Sequence, residues 1–452
     1  MRVKHRQPSR TMRMVADDDR LVSHAGLLVV ETVAERLAVE RALTAEVGLA
    51  FRTQPPGRTL VRLAETLIAG GDCVSDLAGL RDQPALWAEE RVAHTTTAWR
   101  LVAERLVGPD EVVAPALAGV ARARRTVRER AWRCGMRPQT VTIDIDAHLV
   151  TSHTDSKQAA WPTYKGGFGF CPMLAYLAET GEALAAILRP GSGSPMDATD
   201  QLETVDLALE QLPADVERGA VLVRADGAAY AHEVVEGLLE RGVCLLVGAK
   251  LQGPVSKAVL AVAEGDWQPI IEPDGRKRPD AWVAEARWPG HDGWPAELRL
   301  VVRREVPHVG AQLGLRDASG HRFVACLTNL ANATPAEIER LGRGHAVVED
   351  RIREARQLGL HNLPFKTFRA NHAWLQIVLL AQDLVAWTHG LTRPGQTWME
   401  PKTLRFCLVA VAGRITRHAR QTLIHLPRPW PWSQTLIDAH ERAKQIRVPQ
   451  PA

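Results

Sequence analysis

VTIDIDAHLV, residues 141–150, decides how the chain folds, because its first six positions alternate strictly between apolar and polar. Val141, Ile143 and Ile145 share one side, and Thr142, Asp144 and Asp146 share the other. A period of two belongs to a β-strand, so both aspartates stand on one face. Further on, the turn Lys165-Gly166-Gly167 leads to a second strand over 168–177, and Thr180-Gly181 turns into a third over 183–188. The Gly/Ser/Pro loop 189–195 gives way to a helix running to Leu212. GAVLVR, 219–224, is a short apolar run of the kind that forms a strand buried on both faces, and Asp226-Gly227 follows it. A helix over 231–241 and another buried strand over 243–247 complete the series.

The order is therefore β-β-β-α-β-α-β, a meander followed by helix-crossed strands, which is the order of an RNase H-like fold. In that topology the first and fourth strands are neighbours, so Asp146 and Asp226 are expected side by side. Residues 1–20 read as a basic, flexible arm, and 21–137 carry helix-period apolar patterns with almost no strand signal. Residues 249–331 break the rhythm with Gly, Pro, Trp and short alternating runs, as a mostly β insertion would. Thr334-Pro335-Ala336-Glu337 is a capping box with Pro at the first helical position. A second helix, from His345 to Gln357, ends at Gly359, and a long apolar helix spans 366–390. The expected architecture is an α/β RNase H-like catalytic core, over 138–248 and 332–392, interrupted by the β-rich insertion 249–331. An all-helical N-terminal DNA-binding region, 21–137, and a helical C-terminal region, 393–452, flank it. Within the latter, 398–452 reads as one helix or strand run and a Pro-rich tail.

With 452 residues, 46% of them hydrophobic and 24% charged, the chain can bury a sizeable core in two to four domains without disulfides. None of its six cysteines forms a C-x-x-C pair, which argues against a zinc ribbon or a thioredoxin-like site. No apolar run approaches the roughly 18 residues of a membrane span. The basic N-terminus lacks the apolar core of a signal peptide, so a cytoplasmic protein with no membrane partner is expected. Net charge is only +4, but its distribution is uneven. Residues 122–137 hold seven arginines and one glutamate, a density that suggests a phosphate partner, the alternative being a solvated helix face.

Three acids stand at telling places: Asp146 on the first strand, Asp226 just past the fourth, and Glu349 on a late helix. Phosphodiester cleavage needs an activated water and a stabilised leaving oxygen, and two hard divalent cations about 4 Å apart supply both. Carboxylates are the ligands such ions prefer. Asp146 would bridge two Mg2+ ions, for which Mn2+ could substitute, with Asp226 and Glu349 holding one each. Asp144, on the same strand face, is an auxiliary ligand candidate, with a structural role as the plainer reading. Each acid alone is a weak signal; their order is the stronger one.

Four segments carry a family resemblance: TIDIDAHLVTSHTDSKQAAWPTYKGGFGFCPMLAYL, LRPGSGSP, VLVRADGAAYAHEVV and VVEDRIREARQLGLHNLPF. Together they resemble transposases of bacterial insertion sequences, in particular the IS-thirteen-eighty group, within the DDE superfamily that carries a β-strand insertion before the catalytic Glu. The resemblance covers most of residues 20–430. It implies that Asp146, Asp226 and Glu349 are the catalytic, metal-binding triad of a cut-and-paste DNA transposase. It further implies a homodimer acting on double-stranded DNA, at terminal inverted repeats and at a target. The chain departs from the family pattern at three places. His148 replaces a Thr or Ser, while Gly342 and His345 stand where related enzymes place Tyr and Arg; Arg356 keeps the charge of the family Lys. Candidate DNA contacts are Arg122, Arg124, Arg125, Arg128, Lys157, Lys165, Arg353, Arg356, Arg414 and Arg417, the last two at helical spacing. The segment 94–100 could open a recognition helix. Related enzymes hold a flipped base on an insertion aromatic, which makes Trp288 and Trp294 base-stacking candidates, against a plain core role. Two rival readings are a nuclease of the same fold without strand transfer, and an inactive or domesticated DNA-binding remnant.

Overall fold

The computed structural model describes residues 13–87, 92–108, 114–272, 274–287, 293–307, 310, 317–318, 320–418 and 421–448. The N-terminal part is built from helices Leu27–Arg36 (α1), Val39–Val47 (α2), Pro56–Ala69 (α3) and Pro115–Ala131 (α4). Proline opens both α3 and α4, where its missing N–H leaves no bond unmade. Almost every residue of α3 is buried, since it packs among other helices on all sides. Among the described residues of this part the one strand is Leu21–Val22, which pairs with Gly413–His418 near the other end of the chain.

From residue 141 the chain builds one large mixed sheet. Its strands are Val141–Ala147 (β1), Met173–Leu177 (β2), Ala183–Ile187 (β3), Val221–Ala225 (β4), Cys244–Ala249 (β5), Gln268–Ile271 (β6), Lys277–Ala286 (β7), Arg299–Glu305 (β8) and His321–Thr328 (β9). Helix Ala198–Glu210 (α5) links β3 to β4, and His232–Glu240 (α6) links β4 to β5. The spatial order is β6-β7-β8-β9-β5-β4-β1-β2-β3, with the short Asp317–Ala318 strand on β9. β1, β4 and β5 run parallel and the other pairs antiparallel. The β-β-β-α-β-α-β order read from the sequence is present. The segment 249–331, which also contains the helix Gly253–Leu260, continues the same sheet beyond β5.

One boundary differs from the sequence reading: the expected strand 168–177 is broken at Cys171-Pro172. Phe168–Phe170 instead pairs with Val150–Thr151 and Trp161–Pro162 in a separate three-stranded sheet. Pro172 has no N–H to offer a ladder, so the chain changes sheets there.

Pro335–Arg343 (α7) begins with the expected capping box, Thr334 and Glu337 bonding reciprocally. It lies across β6, β7 and β8, closing a small second core of Leu222, Leu246, Ile270, Val283, Val301 and Ile338. Val347–Ala355 (α8) packs on β1 and β2. Phe368–Thr392 (α9) is buried on nearly all sides and runs through the middle of the molecule, touching β3, α1, α3 and α4. The C-terminal segment is a hairpin, Gly413–His418 with Gln421–His425, and a helix, Ser433–Gln445 (α10), packed on α1 and α9. The Pro-rich stretch is thus a connection between them and not a tail. Arg414 and Arg417 sit on a strand, where a three-residue spacing puts them on opposite faces.

The arginine-rich helix α4 turns two of its arginines inward and leaves Arg122 and Arg125 at the surface. Arg124 and Arg128 are about 1% and 0% exposed. Arg124 Nε donates to Asp383 Oδ2 at 2.8 Å, and Arg128 donates to Glu182 Oε1 (3.1 Å), Asp383 Oδ2 (3.2 Å) and Gln211 Oε1 (2.9 Å). Trp132 and Trp387 ring N–H groups complete the coordination of Glu182, at 3.0 and 2.7 Å. This corrects the reading of Arg124 and Arg128 as DNA contacts: fully buried guanidinium groups locked to in-chain carboxylates cannot reach a phosphate. Their counter-charges come from α9 and from the β2–β3 turn, far away in sequence.

Candidate active site

Parallel register brings the first two acids together. Val141 stands opposite Val221 and the pairing runs in step to Ile145 opposite Ala225. Asp146 and Asp226 are the next residues along the two parallel strands, at their C-terminal ends; Asp146 still pairs with Leu174 of β2, while Asp226 lies just past β4. β5 ends there too, Ala225 standing opposite Val247. Gly248 is what lets β5 pass under the Asp226 turn: a Cβ there would lie 2.9 Å from Gly227 N and 3.1 Å from the Asp226 carbonyl carbon. Asp226 Oδ1 accepts the Ala228 N–H at 2.8 Å, which orients the carboxylate, while Asp146 Oδ1 accepts from Ala147 N at 2.7 Å. Glu349 projects from the first turn of α8. Asp226 and Glu349 are exposed and Asp146 is half-buried.

Asp146 registers the crowding electrically. Burial first, then the charges of Asp226 and Glu349, push its carboxyl from the ordinary 3.8 up to about 6, against the opposing pull of the Ala147 N–H and His345. Among the described residues, only Asp72, Cys73 and Asp76 bring three potential ligand atoms within 4.8 Å of one another. There Asp76 is already engaged as a cap, accepting from the N–H groups of Asp72 (2.9 Å) and Cys73 (3.2 Å).

Asp144 is not a free ligand. It is 1% exposed and forms a two-armed pair with Arg224 on β4, at 2.7 Å on each arm, while His345 Nδ1 lies 2.9 Å from Asp144 Oδ1. The register explains the pairing, because Asp144 and Arg224 stand directly opposite each other. Arg224 also donates to the Leu341 carbonyl at 2.6 Å, and a Cβ on Gly344 would lie 2.3 Å from its Nη1. One buried ion pair thereby ties β1, β4 and the α7–α8 junction together, the three elements that carry the acids. This corrects the auxiliary-ligand reading of Asp144 in favour of the structural one. Arg224 itself escaped the sequence reading. Its signal was a charge inside an apolar strand, which gains meaning only once its neighbour is known.

A family model for the DDE domain of transposases (group 1) matches residues 4–448, nearly the whole chain. The chain belongs to the DDE transposase family. No curated protein matches it. Among solved structures it is similar to piggyBac transposase in a synaptic complex with hairpin DNA. The identity is 12% and the TM-score 0.41, over 85% of this chain and 79% of that one.

The cations expected to serve this transposase fall into groups. Lys165 and Arg356 are exposed, and both are close enough to His148, two residues past Asp146, to lower its pKa. His148 sits at about 4, chiefly through burial and then through Arg356 and Lys165, so its imidazole is neutral at pH 7. Lys157 is turned to the protein, donating to the Leu363 carbonyl at 2.6 Å. Arg353 bonds Asp350 and Glu400, Arg122 bonds Glu46, Arg125 bonds Glu129, and Arg414 bonds Asp18, all at the surface. Surface pairs of this kind are worth little and open readily. Lys250, just beyond β5 at the acid-bearing end, was missed by the sequence reading; its Nζ rests 3.3 Å from Met196 Sδ. The segment 94–100 forms a short helix, Thr95–Arg100, capped by His94. Trp294 is half-buried against Tyr230 and His232, ring centroids 5.0 and 3.9 Å away. Trp288 lies outside the described residues. Among the described residues no helix is long and apolar enough to cross a membrane.

Proposed function

We propose that this DDE transposase cuts and rejoins the ends of an insertion sequence with Asp146, Asp226 and Glu349 as its catalytic triad. The carrying observation is the β1–β4 register, which makes Asp146 and Asp226 neighbours at the C-terminal ends of these strands beneath the helix of Glu349. In this reading 138–248 and 332–392 form an RNase H-like core, 249–331 its insertion, 21–137 a DNA-binding region behind the basic arm 1–20, and 393–452 a C-terminal region.

The donor set fits hard divalent cations. It is all-oxygen; the Glu349 carboxylate has no hydrogen-bond partner among the described residues; and Asp146 carries a raised pKa that a nearby cation would relieve. Two Mg2+ ions, replaceable by Mn2+, would activate the attacking oxygen and stabilise the leaving one when bound. The chain's own part is positioning. Asp144 and Arg224 hold the acid-bearing elements, and Gly248 seats the Asp226 turn. His345 is oriented by Asp144, and Lys165 and Arg356 offer positive charge to the DNA backbone. Water would attack the phosphodiester at the element end, and the freed 3′-OH would attack the opposite strand or the target DNA in the same site. Paired ends call for a homodimer on double-stranded DNA, in the cytoplasm.

Purified protein would be incubated with Mg2+ and a labelled duplex spanning the flank of its own gene, beside an Asp226→Ala variant. Metal-dependent nicking at a fixed boundary, absent in the variant, is the expected result. Cleavage without joining of a precut end would favour the nuclease reading. Specific binding with no cleavage in either Mg2+ or Mn2+ would refute the catalytic one and leave a DNA-binding remnant.

A further inference from the structure

The C-terminal hairpin, Gly413–His418 with Gln421–His425, lies outside the chemistry assigned to the acids. Its root is fastened to the body by main-chain bonds. Ala25 N–H donates to Val411 O (3.0 Å), Gly26 N–H to Val409 O (3.3 Å) and Ile415 N–H to Arg20 O (2.9 Å). Packing at the root is close, since a Cβ on Gly413 would lie 2.8 Å from Ile424 Cγ2 and 2.9 Å from Ala25 Cβ. On the exit side, Trp430 Nε1 donates to Cys407 O (2.9 Å) and Ser433 Oγ to Pro427 O (2.8 Å). The hairpin is therefore mounted on the body at both of its ends.

Cross-strand register assigns its two faces. Ile415 stands opposite Ile424 and Arg417 opposite Thr422, and these four share one face. Ile415 is buried at the root, whereas Arg417 and Thr422 beyond it are exposed. On the other face Thr416 stands opposite Leu423 and His418 opposite Gln421, with Leu423, His418 and Gln421 exposed. The outer half of the ribbon thus meets solvent on both sides. A two-stranded ribbon standing in water gains little stability of its own from such a half, which leaves it available to a partner.

Charge says which partner. Residues 413–428 hold four arginines and two histidines and no aspartate or glutamate. Asp18 reaches Arg414 at 3.1 Å, but at the root, where Leu21 pairs with Arg414. A second copy laid along the outer strand would set cations against cations, whereas a polyanion complements them. The size agrees: five cross-strand pairs at a rise of about 3.4 Å give a ribbon roughly 15 Å long, and the major groove of B-DNA, about 12 Å wide, admits a two-stranded ribbon. Arginine suits phosphates, and imidazole, amide and hydroxyl groups suit base edges.

We propose that this hairpin is a β-ribbon that enters the major groove of duplex DNA, with Arg417 on the phosphate backbone and His418 and Gln421, paired at its outer end, toward the base edges. The proposal rests on the DNA-cleaving reading above and adds to it a duplex contact that uses none of the acids.

The test is fluorescence anisotropy without metal, on a labelled mixed-sequence duplex across a salt series, with methyl green as a competitor that occupies the major groove. Arg417→Ala should lower the slope of log affinity against log salt by about one, and Arg417→Lys should restore it. His418→Ala combined with Gln421→Ala should weaken binding by about tenfold, and methyl green should then displace this variant less effectively than it displaces wild type. The substituted side chains are exposed, so the fold should survive, and an unchanged melting temperature would verify this. An unchanged salt slope in Arg417→Ala, or equal methyl green sensitivity in wild type and the double variant, overturns the ribbon. Loss of dimer mass in light scattering at unchanged DNA affinity also overturns it, and makes the hairpin a contact between copies. Failure of wild type to bind the duplex would instead overturn the DNA reading on which the proposal rests.

Discussion

Replacing Arg224 by methionine removes one side of a pair whose partners are only 6% and 1% exposed. Asp144 would keep His345 as its single side-chain partner, and the Leu341 carbonyl would lose its guanidinium donor. Breaking a buried pair from one side typically costs 3–5 kcal/mol, because the remaining charge stays buried. With His345 still in place, the lower end applies, about 3 kcal/mol, or roughly a hundredfold in the folded-to-unfolded ratio. Adding Asp144→Leu removes the stranded charge, so the double variant should recover most of that loss, as apolar replacements of buried pairs often do. Catalysis should not recover with it. The α7–α8 junction would still lack its tie to β4, and a shift of about 1 Å in Glu349 is enough for a loss of roughly a hundredfold. Urea unfolding and single-turnover cleavage, measured on wild type, both single variants and the double, separate the two effects. A double variant that regains cleavage together with stability would refute the claim that this pair sets the geometry of the acids. A cost below about 1 kcal/mol for Arg224→Met would refute its burial as described.

Three further outcomes follow from the same geometry. Gly248→Ala places a Cβ against the Asp226–Gly227 backbone, so cleavage should fall by roughly a hundredfold for a stability loss of only about 1–3 kcal/mol; unchanged kinetics would show that the turn has room to spare. Asp146 has its folded pKa raised to about 6 above an ordinary 3.8, so the metal-free protein should gain stability as pH falls from 6 towards 4 and lose it as pH rises back through 6. Mg2+ affinity should weaken over that same fall, and a calorimetric titration showing no change across it would contradict the assignment. Arg128→Met should destabilise the fold by about 3–5 kcal/mol and leave the salt dependence of DNA affinity unchanged, whereas Lys165→Ala should lower the salt slope by roughly one with little effect on stability.

The alternation of 141–146 and the apolar runs near 221 and 244 made the strand order legible, because period and length are local properties of sequence. The pairing of Asp146 with Asp226 followed from that order. The arginine run of α4 misled for a non-local reason: its charges are balanced by Glu182 and Asp383, 54 and 259 residues away from Arg128 and Arg124 respectively. Spacing along one helix cannot reveal a carboxylate arriving from another element. The shared helical face read for Arg414 and Arg417 failed through period, since a spacing of three means one face of a helix but opposite faces of a strand. The switch of sheets at Pro172 was written in the sequence, in a residue that cannot donate to a ladder, but the competing partner strands were not. Arg224 shows the same boundary from the other side: a buried charge signals a partner without naming it.

Cleavage measured in parallel on Asp146→Asn, Asp226→Asn and Glu349→Gln shows whether three carboxylates distant in sequence act as one site. Each substitution keeps shape and hydrogen bonding while removing one charge. The expected result is loss of Mg2+-dependent nicking by orders of magnitude in all three, with DNA affinity and melting temperature near wild type. Undiminished nicking in any one of them would contradict the triad.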